Sequence, residues 1–132
     1  MKNKNFILIK FIFIFIFLIN SNKAKTEDCD TTVSSSLTSQ LECSDNETLN
    51  VATSGSVIKT GADTIHAKNH SDVTIDNKGT ISASTNQAID MQHAVNTTVT
   101  NSGTIEATQR NAILMDGTDA DNNTINNSGT LK

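Results

Sequence analysis

The sequence predicts an all-β chain: a three-sided parallel β-helix with about 24 residues per coil, following a secretory leader. Three observations carry this. All five Phe lie at or before Phe17 and the chain has no Trp or Tyr, so any later core must come from small aliphatic side chains. The tripeptide Gly-Ser/Thr-aliphatic occurs at Gly55, Gly79, Gly103 and Gly129, at spacings of 24, 24 and 26. Aligned on those glycines, several other positions fall into columns of like chemistry, the signature of a repeat architecture.

Residues 1–24 read as a signal peptide. Lys2 and Lys4 give the positive start, Phe6 to Ile19 the apolar stretch, interrupted only by Lys10, and Ala24 a small residue for cleavage. Those fourteen residues fall short of the roughly 20 that span a bilayer. Cleavage after Ala24 removes four of the ten basic residues and leaves 6 − 14 = −8. A chain this acidic is a poor partner for nucleic acid or an anionic membrane.

Cys29 and Cys43 are the only cysteines. In an exported chain such a pair predicts one structural disulfide, worth about 3 kcal/mol for a loop this short. Residues 29–50 do not follow the repeat, and Leu37, Leu41 and Leu49 are their apolar residues. The expectation is a disulfide-held N-terminal cap over 25–50, closing the open end of the first coil.

Residues 51–132 carry the repeats, about three and a half coils. Val51, Ile75, Val99 and Ile125 precede the glycines by four; Val57, Ile81, Ile105 and Leu131 follow them by two; Ile65, Ile89 and Ile113 follow by ten. Each group alternates apolar with polar, as half-buried strands do, and Asn, Asp, Ser and Gly cluster between the groups. Three strands and three turns per repeat describe one coil, with like side chains stacked about 4.8 Å apart. Glycine is expected at a corner where φ is positive. Asn77, Asn101 and Asn127, two residues before their glycines, are expected to bond the bend or stack as an amide ladder. Ser56, Thr80, Thr104 and Thr130 point outward as a hydroxyl row. The two extra residues before Gly129 are expected in a bulging turn over Asp116 to Asn123. The last repeat stops at Lys132 without a closing element, so the repeats are expected to be truncated and their edge to invite edge-to-edge self-association.

The phrases Val99-Thr-Asn-Ser-Gly-Thr-Ile105 and Ile125-Asn-Asn-Ser-Gly-Thr-Leu131 resemble the repeats of bacterial autotransporter passenger domains. So does the Cys-bounded Ser/Thr stretch leading to Asp45-Asn-Glu-Thr-Leu49. The resemblance, over residues 26–132, implies a right-handed β-helix secreted to or displayed on the outer membrane of a Gram-negative bacterium. It also implies passage through a C-terminal β-barrel, whose amphipathic strands and aromatic girdles this sequence lacks.

Chemistry is sparse. His66, His70 and His93 take different places in the alignment and are read as solvated histidines rather than metal ligands or bases. Asp116, Asp119 and Asp121 read as a solvated turn, since the spacing is not that of a calcium loop. Asp76 and Asp90 lack the aromatic platform and arginine partner of a sugar-cleaving pair, and Arg110 stands alone. The reading is a non-catalytic surface structural or adhesive protein without cofactor or metal, meeting an unidentified ligand on a host or particle. The alternatives are a polysaccharide-acting β-helix enzyme fragment and a glycan- or ice-binding module.

Overall fold

The computed structural model describes residues 26–132; the signal-peptide expectation lies outside them. Fifteen short strands follow one another, three to a rung. The first rung is β1 (Thr26–Asp28), β2 (Thr31–Val33) and β3 (Ser36–Leu37), and the second is β4 (Gln40–Glu42), β5 (Thr48–Val51) and β6 (Ser56–Lys59). The third is β7 (Ile65–His66), β8 (Thr74–Asn77) and β9 (Thr80–Ala83); the fourth is β10 (Ile89–Asp90), β11 (Thr98–Asn101) and β12 (Thr104–Ala107). The last is β13 (Ile113–Leu114), β14 (Thr124–Asn127) and β15 (Thr130–Leu131).

Every third strand pairs in parallel, giving three five-stranded sheets: β1-β4-β7-β10-β13, β2-β5-β8-β11-β14 and β3-β6-β9-β12-β15. The chain is a β-solenoid of about four turns, with no helix among the described residues.

Like residues stack on like. On the first sheet Leu41, Ile65, Ile89 and Ile113 are register partners; on the third, Leu37, Val57, Ile81, Ile105 and Leu131 are. Leu41, Ile65, Ile75, Ile81, Ile89, Val99 and Ile105 are all 0% exposed. Each such side chain contributes about 1.5–3 kcal/mol, so the ladders suffice for a core without aromatics. On β14 and β15, the end strands of their sheets among the described residues, Ile125 and Leu131 are 38% and 41% exposed.

Three expectations change. First, residues 26–50 are not a cap of separate design: β1 to β4 continue the same three sheets. Their register partners lie 14 (Thr26 to Gln40), 18 (Thr31 to Leu49) and 20 (Ser36 to Ser56) residues apart, so a shortened coil hides from a search at 24. The Cys29–Cys43 disulfide forms, with its sulfurs fully buried in the core cluster and Cα atoms 4.6 Å apart. That is the separation of neighbouring strands. The bond clips one rung to the next rather than closing a free loop.

Second, Val51 does not share the column of Ile75. Leu49 pairs with Ile75, and Val51 stands in register with Asn77. Four residues separate β5 from β6 where two separate β8 from β9, while five separate β4 from β5 where seven separate β7 from β8. The differences cancel between glycines, so the spacing of Gly55 and Gly79 stays at 24 while the paired residues of β5 and β8 stand 26 apart, as Leu49 and Ile75 do.

Third, the glycine column is not dictated by φ. Positive φ occurs at Gly61 and Gly117, not at Gly55, Gly79, Gly103 or Gly129. The cause is close approach between coils. A Cβ on Gly79, Gly103 or Gly129 would lie inside 3.0 Å of the carbonyl oxygen of the glycine one coil earlier, and one on Gly55 inside that distance of the Val33 carbonyl. The left-handed corner residues are instead Asn46, Asp72, Asn96 and Asn122, at φ between 54° and 65°. These are residue types that tolerate that conformation.

The amide ladder forms. Asn77 Nδ2 donates to Asn101 Oδ1 at 2.7 Å and to the Thr104 carbonyl at 3.0 Å; Asn101 Nδ2 donates to Asn127 Oδ1 at 2.7 Å and to the Thr130 carbonyl at 3.1 Å. The extra pair of residues before Gly129 falls between Leu114 and Asp121, inside the expected turn.

One buried position is poorly served. Thr97 is 0% exposed and its Oγ1 has no hydrogen-bond partner. One coil earlier the same place holds Val73, also fully buried. Thr97→Val removes an unpaired buried hydroxyl and is expected to add about 1 kcal/mol. Differential scanning calorimetry should find the midpoint raised by about 4 °C.

Candidate functional site

Outward residues are set by the pleat, and two hydroxyl rows result. The expected row, Ser56, Thr80, Thr104 and Thr130, runs along the third sheet and is extended by Ser36. A second row, Thr48, Thr74, Thr98 and Thr124, runs in register along the second sheet. It escapes the glycine alignment because Thr48 lies seven residues before its glycine and the other three lie five before theirs. The rows occupy two different sheets and make no flat two-row lattice.

Near the start of the second sheet, Thr32, Asn50, Ala52, Thr53, Asp76 and Lys78 line an open cleft of about 320 Å³. Its charges are paired: Lys78 Nζ is 2.8 Å from Asp76 Oδ2. Asp76 and Asp90, weighed as a carboxylate pair, lie on different sheets and are not brought together as one.

The three histidines meet three environments. His93 takes a left-handed turn conformation at φ 56°. His70 lies at a corner, its Nδ1 3.1 Å from Asp45 Oδ1. The Ser71 backbone N–H donates to that oxygen at 2.9 Å and, with the His70 ring, holds the Asp45 carboxyl below its usual value of 3.8. The folded-state value is the lower one. The carboxylate therefore stabilises fully above the usual value, and that share is lost as pH falls through the depressed one. In Asp45→Asn the urea midpoint should fall less steeply than in wild type between about pH 5 and pH 2.

His66 departs from the solvated reading. Its ring is 30% exposed, but Nδ1 is buried and has no hydrogen-bond partner. Asp63 Oδ2 lies 3.6 Å from Nδ1 and Asp90 Oδ2 3.9 Å, both beyond hydrogen-bond reach. The Asp90 side chain is only 7% exposed. The other oxygen of each carboxylate accepts a backbone N–H: Asp63 Oδ1 from Gln87 at 3.1 Å, Asp90 Oδ1 from Gln92 at 3.0 Å. Asp63 and His66 are three apart in one coil, and Asp90 is the register partner of His66 in the next. Adding 24 to the number of His66 would have found it.

The acidic turn does what solvated turns do: Asp116 Oδ1 accepts from the Gly117 N–H and Asp121 Oδ1 from the Asn122 N–H. No family model, no curated protein and no solved structure matches this chain.

Proposed function

We propose that the chain is an exported, non-catalytic structural or adhesive β-helix carried at a bacterial cell surface, of the kind found at the start of autotransporter passenger domains. The observation that supports this most is the unbroken parallel register over all three sheets. A stack of this kind is a stiff rod whose length grows with each repeat and whose outer rows recur at a fixed spacing. Such a design suits a stalk or a repeated contact surface. The apolar leader and the cross-rung disulfide fit an oxidising destination.

The test is expression of the full chain in a Gram-negative host. The expected product is periplasmic, shortened by the leader, and blocked to thiol reagents at Cys29 and Cys43. Fused ahead of a heterologous barrel translocator, it should become accessible to protease added outside the cell. Retention in the cytosol with both thiols free contradicts the reading.

A second reading, a glycan-binding module, draws on the cleft that Thr32, Asn50, Asp76 and Lys78 help to line. Glycan-array binding abolished by Lys78→Ala would favour it over a purely structural role.

A further inference from the structure

We propose that Asp63, His66 and Asp90 form a binding site for a single divalent transition-metal ion of the zinc class, clamping two neighbouring coils. The site combines one imidazole nitrogen with two carboxylate oxygens, all within 4.8 Å of one another. It does not rest on acidity alone. A histidine nitrogen is buried there without a partner, facing the almost fully buried Asp90 carboxylate. Leaving such a nitrogen unpaired carries a desolvation cost that a ligand would relieve.

The distances separate this arrangement from an ordinary hydrogen-bonded triad. At 3.6 and 3.9 Å the nitrogen–oxygen separations are too long for hydrogen bonds. Ligand atoms about 2.1 Å from a tetrahedral ion stand about 3.4 Å from one another, so the two imidazole–carboxylate pairs need close by only a few tenths of an ångström. The supporting contacts have the form metal sites use. Gln87 and Gln92 backbone N–H groups hold Oδ1 of each aspartate, turning Oδ2 toward the imidazole. Imidazole with carboxylates selects zinc, cobalt or nickel over calcium and magnesium, which prefer all-oxygen shells. Three protein ligands leave a position for water on the ion. One ligand pair comes from the coil of β7 and the third from β10, so a bound ion ties the rungs together.

The test uses the purified, metal-stripped protein, with Co²⁺ as the spectroscopic probe and Zn²⁺ for calorimetric titration. Wild type is expected to develop visible cobalt bands saturating at one equivalent, to bind one Zn²⁺, and to melt at higher temperature with Zn²⁺ present. His66→Ala and Asp63→Asn should each weaken binding at least about tenfold. Asp63→Asn keeps the oxygen that accepts from Gln87, so the coil stays folded and circular dichroism should match wild type. His70→Ala, outside the cluster, should bind as wild type does. Absent cobalt bands overturn the proposal. So does binding unchanged in both His66→Ala and Asp63→Asn, or binding lost in His70→Ala instead. A His66 ring that is simply protonated between the two carboxylates, with no response to metal, overturns it as well.

Discussion

Gly103→Ala is expected to lower the unfolding free energy by about 3 kcal/mol, the upper range for forcing an extra methyl into a packed interior. The added Cβ falls inside 3.0 Å of the Gly79 carbonyl oxygen, the Gly79 nitrogen and the Lys78 carbonyl carbon. All three are backbone atoms, so no side chain can swing aside. The Gly79 oxygen also accepts from the Thr104 N–H at 2.9 Å, so relieving the clash stretches a bond that ties the coils. Gly61 gives the contrast. Its φ is +84° and a Cβ there meets nothing within 4 Å, so Gly61→Ala carries only the conformational cost of about 1 kcal/mol. Urea melts of the two variants test this: comparable losses would mean that the close approach of coils does not select glycine at Gly103.

Asn101 carries the second large effect. It is 0% exposed and accepts from Asn77 while donating to Asn127 Oδ1 and the Thr130 carbonyl. Asn101→Ala leaves both neighbours short of a partner and opens a cavity, for an expected loss of about 3 kcal/mol. Asn101→Asp keeps the shape but loses the donor and buries a charge. Burial raises the folded-state pKa of that carboxyl, so its penalty applies at neutral pH and is relieved as pH falls through the raised value. Guanidinium melts should rank wild type above both variants at pH 7, with the aspartate variant regaining stability toward pH 4. An aspartate variant insensitive to pH would mean that the amide column is solvated.

The part of the fold legible in the sequence is the part where chemistry repeats at constant interval. Ile65, Ile89 and Ile113 stand in line because every loop between them sums to 24. The rest escaped for definite physical reasons. The first coil is shortened to between 14 and 20 residues, so its strands share no period with the others although they share their sheets. Between Gly55 and Gly79 a longer corner offsets a shorter one, which misaligned Val51 and hid the row beginning at Thr48. Glycine's column was visible but its cause was not, since a φ constraint and a backbone contact select the same residue. The Asp63, His66 and Asp90 cluster was hidden because stacking makes neighbours of residues 24 apart, whereas site motifs are sought at short spacings.

Stacking in register is the claim on which the ladders, the hydroxyl rows and the metal clamp all depend. Its most direct measurement is disulfide trapping between cysteines placed in the outward threonine row. Thr74 and Thr98 are register partners, so the pair Thr74→Cys and Thr98→Cys should sit about 4.8 Å apart at Cα and oxidise readily. The pair Thr74→Cys and Thr100→Cys, slipped by two residues to about 8 Å, should stay reduced under the same conditions. Mass spectrometry of tryptic fragments that finds the slipped pair cross-linked, or neither pair, would contradict the solenoid itself.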